Sequence, residues 1–457
     1  MPQHDIIIAG GGFAGIYAAW RLARDGAKVA LVEAAPQIGG NLNARQWNGY
    51  WLDNGTHNFD MRTALGRAFF PDILGDDMLV FEDQQWATTN DSTWVPGFEL
   101  PSFDDDTAFC DIALAELERL RHAPPRPAAT SFAQHYRDRF GDALAQRVLP
   151  MMSKYIGSDP ESFSHDAKGL LGMFSRVRLG SDDRMIALKS SDAFWDDRLG
   201  VSLGCGDARY IGRNVNKRYA FPARKGLSGF CEAAARRLGE LGVDLYLGEP
   251  VGDLRDAGDH IEVSTSNHTL TGKHLFWSMP DTILARVLNL DVDLMKAAVP
   301  VGTAFFAFEV EADDILGPDY LHDYSAHRLP FRYNKAGVYS DQTKPDGKTY
   351  VTCEVPGHPA TLKSVLSEDN VEKAWESMLD VGFLKEGAIR HDATQWSHPV
   401  AFTLPKVGWR TAHDRAQEMI AEVSDRISGI AFGYRGRLSF MTYHDTVLKE
   451  RFDRAIA

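Results

Sequence analysis

The chain has 457 residues, of which 44% are hydrophobic and 25% charged, so fibrous and disordered classes are excluded. Its 63 acidic and 49 basic side chains give a formal net charge of -14, which disfavours non-specific attraction to nucleic acid and to anionic membranes. Its 4 cysteines include no C-x-x-C pair, which predicts neither a structural zinc site nor a disulfide framework.

The amino-terminal elements predict a loop that binds phosphate. Residues 6–9 form a run of β-branched side chains that predicts a buried parallel strand. The glycines that follow fit G-x-G-x-x-G, in which the first allows a tight turn, the second lets a pyrophosphate approach, and the third lets the helix pack on the strand. The candidate cofactor contacts in this loop are Gly10, Gly12, Phe13, Ala14 and Gly15.

A helix and a second strand complete this βαβ pattern. The helix predicted over residues 16–26 directs unpaired N–H groups and a positive dipole end at the loop. The strand predicted over residues 28–32 ends at Glu33 and Ala34, where a carboxylate can accept hydrogen bonds from a ribose hydroxyl. The pattern predicts a dinucleotide site, and the alternative is a structural βαβ unit with an empty crevice.

A second glycine pair, Gly39-Gly40-Asn41, and the segment 50–57 come next. Here the sequence resembles the superfamily of FAD-dependent amine oxidases, protoporphyrinogen oxidases and UDP-galactopyranose mutases, in which a second glycine pair contacts the cofactor. The resemblance implies FAD in preference to NAD, with Gly40 and Asn41 among its contacts. Gly-Gly-Asn, where amine oxidases commonly have Gly-Gly-Arg, looks more like the mutases and related polysaccharide-biosynthesis flavoproteins.

The resemblance implies an α/β fold with a Rossmann-like, GR2-type FAD-binding domain that is discontinuous in sequence. We expect this domain to comprise residues 1–60, 205–290 and 392–457. A largely helical insertion is expected over residues 61–204, with helices at 63–70, 107–122 and 131–154, and a second, mixed β-sheet domain for the substrate over residues 291–391. Val251, after a helix predicted over residues 227–241, is expected near the adenine end.

Two further segments carry candidate flavin contacts. His57 matches the first histidine of the mutases' Gly-Pro-His-x-Phe-His run, with Asp60 in place of the second, and the resemblance implies a catalytic and cofactor-binding residue. A structural histidine at a strand end is the alternative. Residues 436–445 resemble the mutases' closing motif, which implies cofactor contacts at Gly436, Arg437 and His444 and a catalytic Tyr443; a surface arginine is the alternative for Arg437.

Arg332 resembles the mutase arginine that grips the substrate diphosphate beside the flavin, and the resemblance implies a catalytic and substrate-binding residue. In a chain with this net charge, a diphosphate needs a planar bidentate donor, although an ordinary salt-bridged arginine remains the alternative. Tyr339, Tyr219 and Arg213 are further candidates by position. Met441, together with His444, stands where the mutases carry tyrosines, which is a departure from their pattern.

These features lead to two candidate reactions. The first is an FAD-dependent oxidoreductase that oxidises a sugar or nucleotide sugar by hydride transfer to flavin N5. The second is a redox-neutral UDP-sugar mutase that uses reduced FAD as the nucleophile. We expect a cytoplasmic enzyme without a metal, a membrane anchor or a nucleic-acid partner, and homodimer formation is left open.

Overall fold

The structure, a computed structural model, describes residues 2–55, 57–61, 63–81, 86–90, 94–96, 101–124, 126–169, 171–202, 219–429 and 448. Its strands are β1 His4–Ala9, β2 Val29–Glu33, β3 Arg45–Trp47, β4 Tyr50–Leu52, β5 Phe59–Asp60, β6 Met78–Phe81, β7 Trp86–Thr89, β8 Val95–Pro96, β9 Tyr219–Pro222, β10 Asp244–Leu247, β11 Asp253–Asp256, β12 Ile261–Ser264, β13 Thr269–Trp277, β14 Ala298–Glu311, β15 Tyr320–Asp323, β16 Arg332–Asn334, β17 Lys348–Gly357, β18 Asp392–Pro405 and β19 Ile427–Gly429. Its helices are α1 Phe13–Arg24, α2 Ala64–Leu74, α3 Thr107–Arg121, α4 Phe132–Phe140, α5 Asp142–Ile156, α6 Asp182–Ser191, α7 Ala193–Arg198, α8 Gly226–Glu240, α9 Asp281–Val287, α10 Ala336–Tyr339, α11 Pro359–Val365, α12 Glu368–Asp380 and α13 Trp409–Val423.

Two compact units divide the chain. The first comprises Met1–Val80, Arg218–Ala297 and Gly408–Ala457, and the second Phe81–Lys217 and Ala298–Val407. Strand β18 lies in the second unit because it pairs along most of β14, although its residues fall within the predicted third segment of the FAD-binding domain. The assignment of functions to the predicted domains remains a prediction.

The first unit is built on a largely parallel sheet. Its strand order is β10-β2-β1-β13-β12-β11, with β19 pairing in parallel with the end of β13. The β1 side chains of Ile6, Ile7 and Ile8 are fully buried, as their β-branched run predicted. Because β1, β2, β10 and β13 are parallel, the loops that follow them lie along one edge of the sheet. This confirms the predicted Rossmann-like architecture.

Two helix predictions differ from the structure in informative ways. Helix α1 begins at Phe13, three residues earlier than predicted, because Gly12 already has the extended conformation of an N-cap. The single helix predicted over residues 131–154 is wrong. Gly141, with φ of 87°, separates α4 from α5, since that left-handed backbone conformation cannot continue a helix.

The second unit is built on a mixed sheet with the strand order β18-β14-β17-β16-β15-β7-β8. Its pairs are antiparallel except for β15 with β7. One face packs on α11 and α12 through a core that includes Phe306, Leu321 and Cys353. On the opposite face, His322, Arg332 and Glu354 lie side by side in register on β15, β16 and β17. A separate core of the same unit joins α3, α4 and α5.

One carboxylate ties together three helices of the first unit. Asp72 on α2 accepts hydrogen bonds from Trp20 Nε1 on α1 at 2.6 Å and from Arg237 Nε and Nη2 on α8 at 3.1 Å each. These donors outweigh the effect of partial burial and lower the pKa of Asp72. Trp20 itself is only 2% exposed, so its indole N–H depends on this partner.

We expect Asp72→Ala to lower the free energy of unfolding by about 1–3 kcal/mol, because it leaves the buried indole N–H of Trp20 without an acceptor. Urea denaturation at pH 7 measures the change. Asp291→Ala, which truncates an exposed carboxylate of the same unit, serves as the control and should change the value by less than about 0.5 kcal/mol. Equal effects from both variants would contradict this role of Asp72.

Candidate functional site

In the glycine loop after β1, a side chain at Gly10 or Gly15 would collide with neighbouring atoms, whereas the position of Gly12 has free space around it. Gly10 has φ of 103°, and a Cβ atom there would lie 2.5 Å from Ser278 Oγ. A Cβ atom at Gly15 would lie 1.9 Å from the carbonyl oxygen of Gly10, so α1 can approach β1 only without a side chain at this position. At Gly12, in contrast, a Cβ atom would meet nothing within 4 Å. Space for a ligand therefore adjoins Gly12.

The first turn of α1 borders this space with its backbone N–H groups. Gly12 caps the helix without a side-chain acceptor, and the first turn contains no acidic residue. Phe13 and Ala14, its first residues, are half-buried. Aromatic rings hold this turn in place, since Phe13 stacks on Phe70 and on Phe230. An exposed helix N-terminus of this kind attracts an anionic group through its N–H groups and its dipole.

Glu33, at the end of β2, orders the loop from the other side. Its Oε2 accepts a hydrogen bond from Gly11 N at 2.6 Å, and its Oε1 accepts one from Ala35 N at 2.8 Å. Ala34, between these contacts, is exposed. Each carboxylate oxygen has a second lone pair, so these backbone bonds still allow Glu33 to accept a ligand hydroxyl.

The second glycine pair lies directly against the first. Gly39 N donates to Gly11 O at 2.7 Å, and Gly39 pairs with Gly12 as a short parallel bridge. A Cβ atom at Gly39, which has φ of 126°, would lie 2.3 Å from the sulfur of Cys231. Burial raises the pKa of the Cys231 thiol to about 12, so it stays neutral. Gly40 and Asn41, the predicted contacts, are exposed beside Gly12.

The loops after β10 and β13 continue the same edge. Gly248 N donates to Ala35 O at 2.8 Å, and Glu249 N donates to Glu33 O at 2.9 Å. Val251 follows and packs, partly buried, against the core of the parallel sheet. Ser278, which sequence reasoning did not select, has its hydroxyl 2.9 Å from Ala9 O and 2.8 Å from Gly10 O. A small polar residue directly after the apolar run at residues 275–277 was the available signal.

His57 lies in a segment that is anchored on both sides. Its Nε2 is 3.1 Å from Asn54 O, and the side chain is half-buried. Asn54 Nδ2 donates to Asn43 O at 3.1 Å, which joins this segment to the second glycine pair. Asp53 Oδ1 accepts from Leu227 N at 2.9 Å, at the start of α8. The structure thus connects three segments of the first unit that the sequence separates.

These residues fit an anionic dinucleotide. The space beside Gly12, the uncapped first turn of α1 and the carboxylate of Glu33 together supply room, donors and an acceptor. Several predicted contacts lie outside the described residues, namely Arg213, Gly436, Arg437, Tyr443 and His444.

Tyr219 and Tyr339, two of the predicted substrate contacts, lie in different units and contact other protein residues. Tyr219 is 5% exposed in β9, where it pairs with Asp60 of β5 in the small sheet of the first unit. Tyr339 ends α10 in the second unit, and its ring meets that of Phe81 edge to face, with 6.0 Å between centroids. Their roles toward a substrate remain predictions.

Arg332 is engaged by a carboxylate on the next strand. Its Nε lies 3.0 Å from Glu354 Oε1, and its Nη2 donates to Oε1 at 2.8 Å and to Oε2 at 2.7 Å. Burial opposes the charge on Arg332, but the attraction of Glu354 outweighs it and the pKa of the guanidinium is raised. Arg332 is therefore salt-bridged, which was the alternative given in the sequence analysis. The carboxylate of Glu354 neutralises its positive charge.

A buried polar network beside this pair had no signal in the sequence. Asp323 is fully buried and accepts from Arg328 Nε at 2.6 Å, Tyr333 Oη at 3.1 Å and Ser325 N at 2.8 Å. Burial, reinforced by the Asp323 charge, raises the pKa of Tyr333 well above its usual range, so the phenol stays protonated and donates. The network fixes the turn between β15 and β16 and thereby the start of the strand that carries Arg332.

The described residues contain no group of three or more His, Cys, Asp or Glu side chains that could hold a metal ion. No helix within them combines the length and the apolar character that crossing a membrane requires.

Comparison with known proteins supports the reading of the first unit. Residues 8–69 match the family model of the NAD(P)-binding Rossmann-like domain. A stretch of 50 residues is 50% identical to the thiamine thiazole synthase of Desulfosudis oleivorans, covering 11% of this chain and 18% of that protein. The chain therefore spans less than a fifth of this relative in the match, and the relative's activity is not carried over.

Solved structures match nearly the whole chain. A reduced UDP-galactopyranose mutase superposes with a TM-score of 0.73 at 18% identity, covering 100% of this chain and 98% of that one. A putrescine oxidase gives 0.64 at 15% identity, with 99% of each chain covered. The cyclohexylamine oxidase of Brevibacterium oxydans gives 0.64 at 15%, with coverages of 98% and 99%. The chain has the α/β fold of these enzymes. The predicted resemblance is thus confirmed for the fold.

Substitution by alanine should change the free energy of unfolding much more at Gly15 than at Gly12. Gly15→Ala should lower the free energy of unfolding by more than about 2 kcal/mol, because its Cβ would overlap the Gly10 carbonyl. Gly12→Ala should leave stability within about 1 kcal/mol of the wild type, because its Cβ meets open space and its φ of -69° suits alanine. Denaturation of the ligand-free proteins measures both values, and equal losses would contradict the described loop.

Asp281, the first residue of α9, follows Ser278 and Pro280 at the same edge of the sheet. Burial raises the pKa of its carboxyl from 3.8 to about 6. Gln417 Nε2 donates to its Oδ2 at 3.0 Å, and His413 Nδ1 lies 3.5 Å from the same oxygen. In the unfolded chain the carboxyl ionises near pH 4, whereas in the fold it stays protonated until about pH 6. The fold consequently loses stability as the pH rises through this interval.

Asp281→Asn removes this ionisation. Relative to the wild type, we expect it to raise the free energy of unfolding by about 1–3 kcal/mol at pH 8 and to have little effect at pH 4. Urea denaturation of both proteins at the two pH values isolates the difference from the other titrating groups. If Asp281→Asn raised the free energy of unfolding by the same amount at both pH values, ionisation of Asp281 would not be the cause of the increase.

Proposed function

We propose that this chain is an FAD-dependent oxidoreductase that oxidises a polar small molecule, a sugar or nucleotide sugar, by hydride transfer to flavin N5. The observation that carries the proposal is the contact between the glycine loop, at Gly11, and the second glycine pair, at Gly39. This arrangement leaves open space beside Gly12 and places the carboxylate of Glu33 against the loop. The fold shared with amine oxidases and a galactopyranose mutase is consistent with it.

The residues of the first unit take distinct roles in this proposal. The first turn of α1, from Phe13 to Gly15, donates backbone N–H groups to the pyrophosphate. Glu33 accepts a hydrogen bond from a ribose hydroxyl, and Val251 packs beside the adenine. Further contacts of the cofactor are proposed at Ala34, Gly40, Asn41, Gly436, Arg437 and His444. When bound, FAD supplies a two-electron acceptor or, once reduced, a nucleophile.

Proton handling is assigned to His57 and Tyr443. The hydrogen bond between His57 Nε2 and Asn54 O fixes the ring, so that its other nitrogen can hold or release a proton near neutral pH. Tyr443 is proposed from the closing motif alone.

Arg332 bears on the choice between the two reactions. Glu354 already engages the Nε and Nη2 donors of Arg332 and neutralises its charge, which weakens the attraction of Arg332 for a substrate diphosphate. A neutral polyol can instead donate to Glu354 and leave the pair intact. This favours oxidation of a sugar, with Tyr339, Tyr219 and Arg213 as further proposed substrate contacts.

The alternative is a redox-neutral UDP-sugar mutase. Two observations support it: the Gly39-Gly40-Asn41 sequence, which resembles the mutases, and the TM-score of 0.73 with a galactopyranose mutase, which itself shows only the fold. For this reaction Arg332 would bind a phosphate through Nη1, which is not among its described donors to Glu354, or would exchange Glu354 for the phosphate.

The proposed setting is the cytoplasm. Three cysteines that the structure describes, Cys110, Cys231 and Cys353, are buried free thiols, which is compatible with a reducing compartment. The small-molecule substrate is the proposed partner, and self-association into a homodimer is a proposal without a defined surface.

One experiment separates the two reactions. Purified protein is loaded with FAD, and candidate sugars and nucleotide sugars are added without oxygen while the flavin absorbance is followed. For the proposed oxidation, substrate alone bleaches the flavin band in a 1:1 ratio. Conversion of a UDP-sugar only after reduction with dithionite, without net electron use, would establish the mutase and refute oxidation. Gly12→Ala serves as the control and should not retain FAD.

A further inference from the structure

Asn58 has a buried polar atom without an internal partner. Among the described residues, its Oδ1 is inaccessible to solvent and accepts no hydrogen bond. The side chain as a whole is half-buried. An amide carbonyl buried in this way loses its hydrogen bonds to water on folding, and an apolar side chain of similar size would avoid that loss. A donor from outside the described residues would offset this loss.

The surroundings prevent Asn58 from relieving the loss by moving. On one side, Asn54 is tied to Asn43 O, and His57 is tied to Asn54 O. On the other side, Phe59 pairs with Ala220 and is fully buried. Its ring stacks on Phe70 with 4.4 Å between centroids and an angle of 8°. Asn58 is thus held between two fixed neighbours.

The same aromatic cluster links Asn58 to the glycine loop. Phe59 and Phe13 both contact the rings of Phe70 and Phe230. Phe13 is the first residue of α1, directly after Gly12. The segment that carries Asn58 is also joined to the second glycine pair through Asn54 and Asn43. The buried carbonyl therefore belongs to the part of the first unit that surrounds the open space.

We infer that Asn58 is a ligand of the cofactor, its side-chain carbonyl accepting a hydrogen bond from an N–H or O–H group of bound FAD. The inference rests on the proposed function, because it requires FAD in the first unit. FAD carries both kinds of donor, in its flavin ring and in its ribityl and ribose hydroxyls. A buried water molecule is the competing occupant, and it would make Asn58 irrelevant to cofactor affinity.

The test compares three proteins freed of cofactor: the wild type, Asn58→Leu and Gln395→Leu. Gln395 is the matched control, because its Oε1 is also buried without a partner in the described chain but lies on β18 of the second unit. The dissociation constant for FAD is measured by flavin fluorescence, and the melting temperature without FAD is measured in parallel. The reduction potential of bound flavin gives a third readout.

We expect Asn58→Leu to raise the dissociation constant for FAD about tenfold or more, as for the loss of one hydrogen bond to a buried acceptor. Its melting temperature without FAD should equal or exceed that of the wild type. Gln395→Leu should bind FAD as the wild type does. A shift in reduction potential for Asn58→Leu would place the donor on the flavin ring, and an unchanged potential would place it on the ribityl chain or the adenosine part of FAD.

Two results would overturn the inference. Unchanged FAD affinity in Asn58→Leu would identify water as the occupant, and a folding defect without FAD would show that Asn58 serves the protein itself. Failure of the wild type to bind FAD is a different outcome, because it would refute the proposed function as well.

Discussion

The backbone of residues 10–15 turns so tightly that no side chain fits between β1 and α1. The Gly15 position lies against the Gly10 carbonyl, and Gly39 lies against Cys231 while donating to Gly11 O. These approaches bring the first turn of α1, the end of β2 and the second glycine pair to one place. Every other feature of the candidate site, from the bonds of Glu33 to the openness at Gly12, depends on this close packing of backbone.

The described part of the candidate site offers no positive side chain to the proposed anionic cofactor. The chain as a whole has a net charge of -14, and the first turn of α1 contains no basic residue. Binding must therefore come from backbone N–H groups and the helix dipole, which act at short range and only in a fixed geometry. This makes the ordering of the loop by Glu33, and of α1 by the aromatic rings around Phe13, part of the binding energy itself.

Local patterns in the sequence predicted the parallel sheet and the glycine loop, because strand, turn and helix signals act between near neighbours in the chain. Contacts between residues that are distant in the chain could not be predicted from these local patterns. The bond between Gly39 and Gly11 depends on how two loops fold back, and the break at Gly141 depends on a φ that sequence does not reveal. Ser278 was overlooked because its role comes from the neighbouring strand β1.

Arg332 illustrates how strand register decides chemistry. The sequence identified a cation in a suitable segment but not the carboxylate 22 positions later that lies directly across from it. A slip of one residue in the pairing of β16 and β17 would move Glu354 to the other face and leave Arg332 without this carboxylate partner. The structure instead places an acceptor and a donor side by side. The register of this sheet, more than the presence of arginine, therefore determines which donors of Arg332 the protein itself engages.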